Sequence, residues 1–233
     1  ICLAILFKAV SETLQGFARN EKWQLCGRLG FIGILHTWNQ KLLDHFHLHC
    51  LIPAGALAVD GNKWNHAKDN FLFPVKALAK VFRAKYMAGL KEAYLANKLI
   101  FPGRTKIFAS TTDFQNLVDQ LFDKEKNWVV YAKKPFAGPK QVLKYLGRYT
   151  HRIALTNHRI LEIADNNVTF TYRDRADHNK KKIMTLGADE FIRRFLLHVL
   201  PKGFSKIRYF GLFANKCKRK IIITLRKPSN NYC

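Results

Sequence analysis

Acidic residues are scarce in this chain of 233 residues: sixteen Asp and Glu stand against forty Lys and Arg, leaving a formal net charge of +24. An excess of that size on a globular chain implies a polyanionic partner, nucleic acid first. An anionic membrane surface or a ribosome-like structural role would use the same charge, and charge alone does not separate them. Cysteine is equally sparse. The five residues Cys2, Cys26, Cys50, Cys217 and Cys233 are scattered, odd in number and never arranged as Cys-x-x-Cys. That pattern indicates neither a disulfide framework nor a structural zinc ribbon, and fits a reducing cytoplasm. Long apolar runs are missing too, since stretches such as residues 1–7 fall far short of the ~20 residues a bilayer requires. No basic segment precedes that run, so it does not read as a signal peptide. No Gly-x-x-x-x-Gly-Lys-[Ser/Thr] phosphate loop occurs, which argues against ATP as a cofactor. The chain starts with Ile rather than Met, which suggests a piece of a longer protein.

What is present is enough to build a core, because 48% of the residues are hydrophobic. Leu3, Leu6, Phe7, Val10, Leu14 and Phe17 share one face of a helix predicted over residues 1–19. Residues 29–40 are apolar and β-prone, and residues 44–53 alternate as a strand does, with a turn-rich connection over 55–62. Helices are predicted over 74–97 and 112–124, the second capped by Thr111 or Thr112. A short strand over 128–132 follows, then a helix opened by Pro139 and running to about Tyr149. Residues 152–156, 160–164 and 168–173 read as a three-strand meander, with 181–186 as a further strand. A helix over 188–200 and a strand over 207–213 complete the series. The pattern is α+β with a mostly antiparallel central sheet flanked by helices. It gives one domain over residues 1–213 and a basic tail over 214–233.

The densest chemistry lies in Asp44-His45-Phe46-His47-Leu48-His49-Cys50. Side chains alternate along a strand, so His45, His47 and His49 share one face while Phe46, Leu48 and Cys50 share the other. Imidazoles one pleat apart can converge on a metal ion. If residues 34–40 fold back about a turn near Lys41-Leu42, His36 lies opposite His47 and joins that face. His36 and His45 therefore compete to be the third ligand beside His47 and His49. Trp38 would share the face, and fits a plain core role equally well.

A second constellation is Tyr145 and Tyr149, four residues apart on a predicted helix and therefore neighbours. A tyrosine hydroxyl can attack a phosphodiester and keep the bond energy as a phosphotyrosine, and two such groups could serve two successive strand transfers. Lys144 and Arg148 run beside them as a basic stripe. Val142, Tyr145, Leu146 and Tyr149 also fit an ordinary core-facing stripe, so spacing leaves both readings open. Upstream, Trp128, Tyr131, Lys133, Lys134 and Phe136 interleave aromatic and basic residues in the manner of a single-strand channel; a surface strand with a buried Trp is the plainer alternative. His151 or Arg152 follows the tyrosines closely enough to reach phosphate, or equally to cap the helix with positive charge. Lys180–Lys182 and residues 216–220 are charge runs that read as solvated surface.

These stretches resemble the two-tyrosine HUH transposases of rolling-circle insertion sequences, where HUH denotes His-hydrophobe-His. The matching segments are GFIGILHTWNQ, HFHLHCLIPAGAL, FLFPVKALAKVFR, WVVYAKKPFAGPKQVLKYLGRYTHRIALTNHRIL and FIRRFLLHVLPKGFSKIRYFGLFANK, in the family's order from about Gly30 to Lys216. The resemblance implies an RRM-like palm with His47 and His49 as metal ligands and Tyr145 and Tyr149 as nucleophiles. It implies Mg²⁺ or Mn²⁺ as the ion, and cutting of single-stranded DNA to a 5′-phosphotyrosine and a free 3′-hydroxyl. Its partners would be single-stranded element ends and target DNA, with a homodimer compatible, in a prokaryotic cytoplasm beside the nucleoid. Lys133, Lys134, Lys144, Arg148, Arg152 and Trp128 are the expected DNA contacts. The family usually carries an N-terminal cysteine-rich zinc module and an early strand, neither of which is here, and CKRKIIITLRKPSNNYC departs from its usual end. Two other functions use the same residues: a DNA-binding remnant without catalysis, and a rolling-circle replication initiator. A hydrolytic metalloenzyme is disfavoured, because no carboxylate is placed to act as general base beside the histidines.

Overall fold

The structure is a computed structural model and describes residues 1–23, 25–68, 72–123, 128–136, 138–150 and 154–217. The elements in chain order are α1 (Cys2–Arg19), β1 (Gly27–Arg28), β2 (Gly30–Trp38), β3 (Asp44–Leu51), β4 (Gly55–Ala58), β5 (Trp64–His66), α2 (Val75–Leu95), α3 (Thr111–Phe122), α4 (Pro139–Thr150), β6 (Ile160–Ala164), β7 (Asn167–Asp174), β8 (Lys180–Gly187), α5 (Ala188–Leu196) and β9 (Ile207–Gly211). The architecture is α+β, as expected. The strands form three sheets, ordered β1-β4-β5, β3-β2-β9 and β6-β7-β8. The first and third pair antiparallel throughout. β2 and β3 are neighbours joined only by residues 39–43, a connection too short for a parallel crossover, so they too run antiparallel.

The chain divides into two compact units. One holds Ile1–Phe31, Leu51–Pro135 and Tyr209–Cys233; the other holds Ile32–Cys50 and Phe136–Arg208. In the first, α1 buries Ile5 against Met87, Leu90 and Ala93 of α2 and Phe114 and Val118 of α3. Tyr94 stacks on Phe114 at 3.8 Å. The Ser110 hydroxyl, not Thr111 or Thr112, caps α3 by accepting from the Asp113 amide at 3.5 Å; helix starts are set by the last non-helical residue, which here lies one position earlier. The expected turn-rich connection over 55–62 contains β4, whose residues are all buried.

In the second unit Trp38, Leu42, Ala154, Leu155 and Phe170 form the core, with Ile160, Met184, Leu186 and Phe191 around them. Here the meander is shifted by one strand from the expectation. The sheet is β6-β7-β8, and residues 154–156 form no strand while 151–153 lie outside the described residues. The Arg159 side chain takes the Ala154 carbonyl at 3.4 Å and the Thr171 carbonyl at 2.8 Å, so this segment is held by side-chain bonds rather than by a ladder. Asp165 and Asn166 supply the positive φ of the β6–β7 turn, as two-residue hairpin turns require.

The strand expected over 128–132 is also absent. Val129 and Tyr131 are both largely exposed, and the segment has no ladder partner among the described residues. Its apolar alternation reflects single packing contacts, those of Trp128 with Phe82 and Tyr86. Among the described residues no helix is long and apolar enough to cross a membrane.

Gly211 takes φ +57°, and a β-carbon there would run into the Leu29 carbonyl oxygen. That oxygen accepts from the Leu212 amide and from the Gln15 side chain, at 3.2 and 2.7 Å. Gly211→Ala should therefore cost about 2–4 kcal/mol of stability, from left-handed strain plus loss of this close approach. Urea unfolding followed by circular dichroism measures it.

Candidate metal centre and tyrosine

The candidate site belongs to the second unit and begins with the hairpin. Asn39 opens the turn: its Oδ1 accepts from the Lys41 and Leu43 amides, at 2.9 and 3.0 Å, an Asx turn. The turn brings His36 against His47, with His36 Nδ1 to His47 Nε2 at 3.3 Å and His47 Nε2 to His49 Nε2 at 3.1 Å. The ligand atoms of His36, His47 and His49 all lie within 4.8 Å of one another. His45 is not in that group, although its ring lies 4.6 Å from the His47 ring. His45 contributes its carbonyl instead, which pairs with His47 Nδ1 at 2.7 Å. The carbonyl can only accept, so Nδ1 carries the proton and the Nε2 lone pair faces the other two histidines. Burial lowers the pKa of His47; the bond to the His45 carbonyl opposes this and the charges of His45 and Arg175 add to it, so the balance favours the neutral ring, the form that ligates a metal.

The donor set fits an ion. A metal–nitrogen bond of about 2.1 Å places neighbouring ligand nitrogens about 3.0–3.5 Å apart, the spacing of His47 Nε2 from its neighbours on His36 and His49. Three imidazoles could therefore hold a metal from one side and leave its other positions open. Trp38 packs edge-on against His36 at 4.2 Å between ring centroids, which limits how far that ring can turn. Burial pushes the Cys50 thiol up to about 12, so this neighbour supplies no thiolate.

Tyr145, on α4, reaches this site. Its hydroxyl lies 3.0 Å from His49 Nδ1, while His49 Nε2 faces His47. One imidazole thus links the histidine cluster to a tyrosine oxygen. Phe136 packs against Tyr145 at 5.2 Å between ring centroids. The resemblance implied that Tyr145 and His49 serve one site, but no spacing signalled their direct contact across 96 positions. Arg175 is a further cation that sequence reasoning missed; it sits on the exposed β7–β8 connection and acts on His47.

The other expected site residues are dispersed. Lys144 is exposed on α4. Tyr149 and Arg148 lie one turn further along that helix, but their side chains are outside what is described, as is Arg152 altogether. Lys133 and Lys134 are exposed and fall in the other unit. Trp128, in that unit too, is half-buried on Phe82 and Tyr86.

A histidine cluster bonded to a tyrosine, on a strongly basic α+β scaffold, defines a candidate phosphodiester-processing centre. The family model described as "Putative transposase" (Y2_Tnp) matches residues 30–220, and the chain belongs to that family. It is 42% identical over 222 residues to "Putative transposase y4qJ" of Sinorhizobium fredii (strain NBRC 101917 / NGR234), covering 95% of this chain and 55% of that protein. It is 27% identical over 193 residues to "Transposase for insertion sequence element IS801" of Pseudomonas savastanoi pv. phaseolicola, covering 81% of this chain and 44% of that protein. The chain thus spans about half the length of the curated relatives it matches. No solved structure matches it.

His47→Ala removes the central nitrogen of the cluster and should abolish binding of one equivalent of Mn²⁺ in isothermal titration. His45→Ala keeps the backbone carbonyl that orients His47, and should bind Mn²⁺ within about threefold of the parent chain. Equal losses in both variants would contradict the ligand set of His36, His47 and His49.

Proposed function

We propose that this chain is the catalytic part of a metal-dependent transposase that cuts and rejoins single-stranded DNA through Tyr145. The observation that carries the reading is the 3.0 Å contact between the Tyr145 hydroxyl and His49 Nδ1, with His49 Nε2 turned into the histidine cluster. With Nε2 turned to the cluster, where it would ligate the ion, Nδ1 would keep its proton and donate to the tyrosine oxygen. That hydrogen bond stabilises the oxygen as it loses its own proton to solvent, which later supplies the proton taken up by the leaving 3′ oxygen. The oxygen then attacks the scissile phosphorus. The phosphorus bond to the 3′ oxygen breaks, the 3′ oxygen leaves and takes up a proton, and the 5′ phosphate stays on Tyr145 as an ester. A divalent ion held by His36, His47 and His49 would supply Lewis-acid polarisation of the phosphate. We assign Mn²⁺ ahead of Mg²⁺, because nitrogen donors suit the former better.

Tyr149, one helical turn beyond Tyr145, is proposed as the second nucleophile, for rejoining. Lys133, Lys134 and Lys144 are exposed and are proposed as phosphate contacts for the strand, with Arg148 and Arg152. The net charge of +24 supplies the sequence-independent part of that affinity. The relative named as an insertion-sequence transposase favours transposition over replication initiation.

The test uses Mn²⁺ and labelled single-stranded DNA carrying an element end, resolved on a denaturing gel. The parent chain should give a covalent adduct, and Tyr145→Phe should lower its yield at least a hundredfold. A parent chain that binds the DNA tightly but forms no adduct would support instead a binding remnant. An adduct of undiminished yield in Tyr145→Phe would move the first attack to another residue.

A further inference from the structure

The turn over residues 39–43 brings the two histidine strands together, and it contains no glycine. Leu42 is fully buried and takes φ +59°, a conformation that strains a residue with a β-carbon. Three successive carbonyls of this turn are each taken by a side chain from elsewhere in the same unit. Arg159 Nη2 donates to the Gln40 carbonyl at 2.8 Å, Arg194 Nη1 to the Lys41 carbonyl at 3.3 Å, and His198 Nε2 to the Leu42 carbonyl at 3.0 Å.

His198 does more than the two arginines, because it bonds both legs of the hairpin. It is 9% exposed, and its Nδ1 lies 3.3 Å from the Thr37 hydroxyl. The Leu42 carbonyl can only accept, so Nε2 holds the proton, Nδ1 accepts, and the Thr37 hydroxyl donates. Thr37 adjoins His36 in β2, and Leu42 leads into β3. One imidazole therefore ties the strand of His36 to the strand of His47 and His49. A slip of either leg would change the 3.3 Å separation of His36 from His47.

We propose that His198 is a positioning residue for the histidine cluster: it holds the hairpin so that His36 meets the same ion as His47 and His49. The inference rests on the metal-centre reading of that cluster. Arg159 and Arg194 keep the other two carbonyls, so the hairpin should remain formed when His198 is replaced, with a less well defined ligand geometry.

The test uses the full chain as wild type, His198→Leu, His198→Gln and Thr37→Val. Mn²⁺ affinity is read from the electron paramagnetic resonance of the free ion, ligand geometry from the visible spectrum of bound Co²⁺, and folding from circular dichroism. His198→Leu should stay folded, bind Mn²⁺ about tenfold or more weakly, and shift the Co²⁺ bands. His198→Gln keeps a donor for the Leu42 carbonyl and should recover most of the affinity. Thr37→Val loses one bond only and should show an intermediate Co²⁺ spectrum. A folded His198→Leu with wild-type Mn²⁺ affinity and Co²⁺ spectrum overturns the proposal. If His198→Leu does not fold, an unchanged Co²⁺ spectrum in Thr37→Val overturns it and a shifted one supports it. A wild-type chain that binds neither ion overturns the metal centre itself, and this inference with it.

Discussion

Alternation of side chains along the β2–β3 hairpin is the constraint on which the site depends. A strand sends every second residue to one face, and an antiparallel partner sends its opposite residues to that face as well. His47 and His49 are thereby parallel neighbours, and His36 arrives beside them only if the turn has the correct length. A register slip of one residue would carry the set of histidines to the other face. The turn over 39–43 is therefore as much a part of the site as the histidines. Asn39 closes it from within through two backbone amides, and three carbonyls are closed from outside by Arg159, Arg194 and His198.

Electrostatics then selects what the cluster can do. Three imidazoles within 4.8 Å repel one another if protonated, and burial already lowers the pKa of His47. Burial thus favours the neutral form of His47 in a chain carrying +24. In the proposed reaction that same excess draws in the DNA strand, whose scissile phosphate approaches the cluster next to Tyr145. The role of His49 is divided between its two ring nitrogens, one turned to the cluster and one to the tyrosine oxygen. Under the proposed function, this division couples a metal ligand to a nucleophile through one imidazole.

Much of this was legible in the sequence where a single period governed the outcome. The alternation of residues 44–50 gave the histidine face, and the spacing of Tyr145 and Tyr149 gave a shared helix. The Asn39 turn places His36 rather than His45 with His47 and His49, and its Asx signature was present in the sequence but easy to pass over among Gln40, Lys41 and Leu42. The strand expected over 128–132 failed because apolar alternation marks a strand only when a ladder partner exists. Residues 154–156 failed for a related reason, since Arg159 takes a carbonyl there that a neighbouring strand would otherwise have used. The contacts of His49 with Tyr145 and of His198 with Thr37 and Leu42 have no periodic signature. They join positions far apart in the chain and follow only from the packed fold.

The most direct test of the central claim is anomalous diffraction from crystals of the chain soaked in Mn²⁺, recorded at the manganese edge. The account requires one strong peak bonded to nitrogens of His36, His47 and His49, with the Tyr145 oxygen still in contact with His49 Nδ1. A peak on His45 without His36, or no peak at the hairpin in crystals that bind Mn²⁺ elsewhere, would contradict it.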